Sequence, residues 1–291
     1  MTARQPVHVR GPTWLVLTIG SVAGLAMFLW PLLISPPAGT AHNAEAPYIF
    51  VIILPLIIAV ILAELSGGGL DVKAIAMLGL LSGVGAALRP LGAGTAGIET
   101  MFFLLVLAGR VYGSGFGFVL GCTTMFASSL LTGGVGPWLP FQMLAAAWVG
   151  LGAGALPKCR GRAEITMLAV YGAFSAFAFG FLLNRWFWPF ALGVFTGEGA
   201  NPGLQFVPGD AVLSNLHRFF LFTLATSTFG WDAGRAITTV IAICTVGVPV
   251  LAALRRARRR AAFQPSITFV PAPAIPPMQV TKCPPVQADV S

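Results

Sequence analysis

Long uninterrupted apolar blocks constrain this chain more than any other feature. They lie at about 14–34, 48–65, 73–88, 99–113, 115–133, 138–156, 163–185 and 237–254. Each is near the roughly 20 residues that a helix needs to cross the hydrocarbon core of a bilayer. A water-soluble core has no need of such blocks. Charge agrees with this reading, because only 9% of the residues are charged, against about 25% in a soluble domain. Glycine is abundant, at 35 residues, as expected where helices pack closely in lipid. The fold class is therefore all-α, a polytopic helical membrane protein.

Basic residues orient the blocks, since Lys and Arg gather in cytoplasmic loops. Lys73 precedes the third block and Arg110 ends the fourth. Lys158, Arg160 and Arg162 separate the sixth from the seventh, and Arg255, Arg256, Arg258, Arg259 and Arg260 follow the last. The loop between the first two blocks has no Lys or Arg. This pattern puts both termini in the cytoplasm and 196–210 outside. Tyr112-Gly113-Ser114-Gly115 reads as a tight helical hairpin, and Gly133 to Pro137 as an outer loop.

Residues 211–230 are moderately apolar but contain His217 and Arg218. If they crossed the membrane, the final Arg run would face outside. They are therefore expected to form an outer helix or a re-entrant segment. Ala38-Gly39-Thr40-Ala41 faintly resembles a signal-peptide cleavage site. The first block is about twice the length of a signal-peptide apolar region, so an uncleaved span is expected. The expected organisation is a cytoplasmic N-terminus at 1–13, a two-span hairpin at 14–70 and a six-span core at 71–256. A basic, then Pro-rich and disordered cytoplasmic tail follows at 257–291.

Several functions lose ground on composition. The net charge of +8 follows from cytoplasmic loops rather than from a basic, aromatic-rich module for nucleic acid. Cys122, Cys159, Cys244 and Cys283 have no metal-ligand spacing. There is no G-x-x-x-x-G-K-[ST] loop, no H-E-x-x-H and no dinucleotide fingerprint after a strand. With three histidines, general-base chemistry has few candidates. The expectation is a protein that is not an enzyme and holds no cofactor or metal.

Two features carry chemistry. In the third block Gly79, Gly83 and Ala87 recur every four residues, with Ser82 and Ala86 in a second small row. Such rows let another helix approach closely in lipid. The partner is either another span of this chain or a separate membrane subunit. The second feature is Gly136-Pro137-Trp138-Leu139-Pro140-Phe141-Gln142-Met143. Gln142 within a span needs a partner or a ligand, and Trp138 and Phe141 can wall an apolar pocket. The alternative is an interfacial Trp, with Gln142 bonded to a neighbouring helix.

Arg89, Glu99, Gln142 and Asn184 all fall at the expected outer ends of their spans, together with several Trp residues. An apolar wall with a few polar groups is what a ligand pocket requires. Two of the polar residues there have simpler roles open to them. Glu99 can cap the fourth helix, and Arg185 can snorkel to the interface.

Residues 71–256 resemble the substrate-binding S-component of energy-coupling factor (ECF) type ABC transporters. The matching pieces are the small-residue helix 73–88, the loop from Arg89 to Gly97, and the five spans that follow. Gly133 to Met143 looks like the GPW-x-P-x-QM signature of a subgroup associated with cobalamin-type substrates. The two N-terminal spans depart from the six-span pattern. The resemblance implies high-affinity binding of a vitamin-like micronutrient at the outer face. The substrate contacts expected from the convergence at the outer span ends are Arg89, Glu99, Trp138, Phe141, Gln142 and Asn184. The resemblance also implies docking through Gly79, Gly83 and Ala87 onto a transmembrane coupling subunit, itself driven by two ATPase subunits that use the ATP. Two rival readings are a membrane enzyme acting on lipid or prenyl substrates, which would want paired acids in one cavity, and a membrane scaffold protein.

Overall fold

The computed structural model describes residues 11–33, 55, 58–59, 62–63, 72–92, 97–189, 202–207 and 209–262. Among these residues the chain is helical, with no strand. The helices are α1 (Gly11–Leu33), α2 (Val72–Leu88), α3 (Phe102–Tyr112), α4 (Ser114–Thr132), α5 (Leu139–Ala155) and α6 (Arg162–Phe187). The last two are α7 (Val212–Thr223) and α8 (Ala233–Ala262), joined by the π-helical run Leu224–Asp232. Of the expected second span, 48–65, only 55, 58–59 and 62–63 are among the described residues, and the tail after 262 lies outside them.

Among the described residues, four helical stretches are long and apolar enough to cross a membrane: Val72–Leu91, Ser114–Thr132, Arg162–Phe187 and Val212–Arg260. The apolar helices α3 and α5 are shorter, at 11 and 17 residues, or roughly 17 and 26 Å long. The six crossings expected of residues 71–256 are thus met in length by four. The reason is visible in α3, whose Leu104 to Gly109 are all buried. A helix wrapped by its neighbours need not match the bilayer thickness.

The tight hairpin forms where expected. Gly113 alone separates α3 from α4, with φ at 97°. That left-handed conformation is open to glycine and strained for other residues. After the next loop, at 133–138, α5 returns antiparallel to α4 at very short range. A Cβ on Gly117 would lie 2.2 Å from the Gly150 carbonyl oxygen, and one on Gly150 would lie 2.1 Å from that of Gly117. Gly121 meets the Ala146 carbonyl in the same way. With no side chain between them, the two backbones themselves form the contact.

α2 is two-faced. Leu81, Ser82, Gly85 and Ala86 are buried, and Ser82 Oγ shares a 2.6 Å hydrogen bond with Thr123 of α4. Gly79, Gly83 and Ala87 are exposed on the outside of the bundle. A Cβ on Gly79 or Gly83 would meet nothing within 4 Å. The described fold therefore packs the second small row and leaves the first one bare.

One end of the bundle is basic. Arg110 donates to Glu164 at 2.8 Å, and Arg255 donates to the same carboxylate at 2.6 Å. Arg258 donates to the Val111 carbonyl at 2.6 Å, and Tyr112 to that of Leu254 at 3.1 Å. These bonds tie α3, α6 and α8 together beside Lys158, Arg160 and Arg162.

The N-terminal helix is joined to the core. Phe28 of α1 meets Phe141 edge-on at 5.0 Å, and Trp148 donates to Ser21 at 3.0 Å. An apolar groove of about 370 Å³ remains between them, lined by Leu17, Ser21, Trp148, Leu151 and Leu182 among others.

Residues 211–230 are helical, as expected, but not a separate element. They run through the π segment into the last helix without a reversal. The stretch Val212–Arg260 has 49 residues, or roughly 70 Å at the helical rise, more than twice the roughly 30 Å hydrocarbon core. It therefore extends well beyond a single crossing. Ahead of it, hydrogen bonds from Arg218 and from the Ala211 N–H hold the Asp210 carboxyl below the usual carboxylate range.

Candidate functional site

The end opposite the basic one collects charged and aromatic side chains from four helices. Arg89 begins a 3-10 turn, Arg89–Leu91, directly after α2. Its guanidinium donates to Ser128 of α4 at 3.2 Å and lies 3.7 Å from the Glu99 carboxylate. Glu99 also accepts from Arg235, in the first turn of α8. Arg235 in turn donates to Asp232 at 3.0 Å and to the Ala176 carbonyl at 3.3 Å. The Phe102 and Phe179 rings flank its guanidinium at 5.4 and 4.9 Å. Two bases and two acids thus balance in a nearly dry setting, where leaving one unpaired would be costly.

Local backbone geometry makes this cluster possible. Gly97, with φ at 75°, lies so close to the π segment that a Cβ would fall 2.2 Å from the Trp231 carbonyl oxygen. The π run ends on Asp232, whose carboxylate accepts from Ser227 at 2.9 Å. Gly180 of α6 leaves room for that carboxylate, since a Cβ there would overlap Asp232. Runs of π-helix are rare and recur at functional sites.

Five residues past Gly180, roughly 7 Å along the helix axis, the last turn of α6 carries a second group. Arg185 has 0% exposure and its side chain makes no hydrogen bond. The Trp188 and Phe219 rings lie 5.3 and 4.9 Å from its guanidinium carbon. Trp188, Phe206, Phe219 and Phe222 form a small apolar cluster of their own. The segment before α7 is pinned to it: Trp188 donates to the Leu204 carbonyl at 2.7 Å, and Asn215 exchanges two bonds with the Val207 backbone.

The six residues expected to contact substrate therefore separate. Arg89 and Glu99 meet. Glu99 does not cap α3: the N-cap position is Met101, with no side-chain cap, and the carboxylate serves two arginines instead. Phe141 has 0% exposure, packed between Phe28 and Trp186, whose ring centroid is 4.7 Å away. Asn184 stands beside Arg185, and its buried Nδ2 makes no hydrogen bond. Trp138 is 44% exposed and donates to the Gly134 carbonyl at 3.1 Å. Gln142 is half-buried, and no side-chain bond joins it to either cluster among the described residues.

Sequence reasoning missed Asp232, Arg235 and the burial of Arg185. The first two had a signal, an acid and a base three residues apart at the mouth of an apolar span, where such a pair shares one helical face. Arg185 was expected to snorkel, but the aromatic cluster covers it instead. Among the described residues no three His, Cys, Asp or Glu side chains gather as a metal site. No protein family model, no curated protein and no solved structure matches the chain.

Proposed function

We propose that the chain is the substrate-binding S-component of an ECF-type ABC transporter, a six-span core with two N-terminal spans added. In this reading the protein sits in the cell membrane as a multi-pass protein. The basic end and both termini face the cytoplasm, and the Arg89–Glu99 end faces outside. A vitamin-like micronutrient of cobalamin type binds at that outer end. A transmembrane coupling subunit docks on α2, and two ATPase subunits consume the ATP. The short helices α3 and α5 count as spans because their neighbours shield them from lipid.

The observation that carries the reading is the division of labour on α2. One small row holds α4, while Gly79, Gly83 and Ala87 stand bare on the outer surface. Between lipid-embedded helices the hydrophobic effect gives little, and close backbone approach gives much of the attraction. A smooth stripe that the packing of the described residues leaves unused suits a second membrane subunit. The charged and aromatic opposite end supports ligand binding, since it joins a few polar groups to apolar walls.

Gentle purification followed by mass spectrometry tests the proposal. A retained micronutrient together with copurifying coupling and ATPase subunits is the expected result. Turnover of a lipid or prenyl substrate would contradict it in favour of an enzyme. Protein partners without any small ligand would favour a scaffold.

A further inference from the structure

We propose that Arg185 is the receptor for an anionic oxygen group, a carboxylate or a phosphate, on the ligand that the protein binds. This deepens the proposed function and rests on it.

A guanidinium carries five N–H donors and no acceptor. In Arg185 all three nitrogens are buried and none has a hydrogen-bond partner among the described residues. The other arginines near this end of the bundle are accommodated differently. Arg235 and Arg89 share Glu99, and Arg218 has Asp210. Arg185 has only ring faces, those of Trp188 and Phe219. A ring face attracts a cation but does not accept its in-plane N–H groups, so the edge of the guanidinium is left unanswered. Such a charge, enclosed without acceptors, is unfavourable unless something supplies them.

Two further polar atoms, on α6 and α7, repeat the pattern. The Nδ2 of Asn184 and the Oγ1 of Thr223 are also buried without a hydrogen bond. Thr223 lies four residues beyond Phe219 on α7, on the same helical face. Among the described residues, two donors near the end of α6 and a hydroxyl at the end of α7 thus lack hydrogen-bond partners. Since the neighbouring ion-pair cluster is balanced, Arg185 leaves a net positive charge there among the described residues. A carboxylate or phosphate answers that charge and accepts the paired N–H groups side by side. The flanking rings then suit a flat or apolar portion of the same ligand.

The test uses the full-length protein in dodecyl maltoside micelles, which carry no anion. Inorganic phosphate and benzoate are titrated in separate experiments, and tryptophan fluorescence is followed because Trp188 covers the guanidinium. A saturable response to at least one anion is expected. Arg185→Met keeps the length and apolar packing of the side chain and should weaken that response by about a hundredfold. Arg185→Lys should fall between the two. Without ligand, Arg185→Met should melt at a higher temperature than the parent, because an unanswered charge has been removed.

An arginine held only for packing on the rings predicts the reverse: a lower melting temperature and an unchanged anion response. That result overturns the proposal. If Arg185→Met does not fold, the parent titration decides, and no saturable response to either anion overturns it. Micelles doped with phosphatidylglycerol separate the sources. A response to that lipid alone overturns the assignment to a small ligand in favour of a lipid headgroup. A neutral or cationic micronutrient retained equally by the parent and Arg185→Met overturns the anion site but leaves the transporter reading standing.

Discussion

Glu99, just before α3, and Arg235, in the first turn of α8, are bonded side chain to side chain although 136 residues separate them. This pair closes the bundle at the end opposite the basic loops. It joins α8 to the loop that follows α2, and through Arg89 and Ser128 it reaches α4.

Removing the shared carboxylate should therefore loosen the whole end. Glu99→Ala leaves Arg235 with Asp232 and one carbonyl, and leaves Arg89 with Ser128. A loss of about 3 kcal/mol is expected, as for breaking one partner of a buried pair. Thermal unfolding of the detergent-solubilised protein reads it. A melting temperature equal to that of the parent would show that the pair contributes nothing to stability.

Glycine substitutions should split by location. Gly150→Ala drives a methyl group into the Gly117 backbone, and neither backbone can yield cheaply. Poor folding or a large fall in melting temperature is expected. Gly83→Ala meets open space and gains helix propensity, worth about 0.5–1 kcal/mol. It should melt at or above the parent temperature. Equal effects of the two substitutions would contradict the packing described for α4 and α5.

The expected pocket residues should likewise divide. Phe141→Ala empties a fully buried site between Phe28 and Trp186 and should cost about 3–5 kcal/mol. Trp138→Ala and Gln142→Ala change partly exposed positions, so folding should survive. Under the proposed function these two variants lose ligand retention. If both retain ligand as well as the parent, the pocket lies elsewhere.

Orientation is testable through Cys159, in the basic loop between α5 and α6. In a Cys283→Ser background, a membrane-impermeant thiol reagent should label Cys159 in inverted vesicles and not in intact cells. Cys122 is buried and should stay silent in both. Labelling of Cys159 in intact cells would reverse the assignment of the basic end to the cytoplasm.

Much of the fold is legible in the sequence because one-dimensional signals cause it. Apolar length predicts α2, α4, α5 and α6 to within a few residues, and Gly113 marks a hairpin because its φ demands glycine. What is not legible depends on which faces meet. Small-residue rows at spacing four occur both at Gly79, Gly83 and Ala87 and at Gly113, Gly117 and Gly121. The first row points outward and part of the second packs on α5, yet spacing alone does not separate them. The ion-pair cluster needs Glu99 and Arg235 to be brought together across most of the chain, and no local pattern announces that. Arg185 looks like an interfacial anchor because its covering rings, Trp188 and Phe219, come from two different helices.

If α2 carries a docking face separate from the fold's own packing, Gly83→Leu should separate folding from docking. Leucine there adds bulk to a surface where a Cβ meets nothing within 4 Å among the described residues. The variant is co-expressed with the coupling and ATPase subunits, and its melting temperature, ligand retention, copurification and uptake are measured together. A parent-like melting temperature and retained ligand are expected, with loss of copurification and of uptake. Normal copurification and normal uptake by Gly83→Leu would contradict such a docking face.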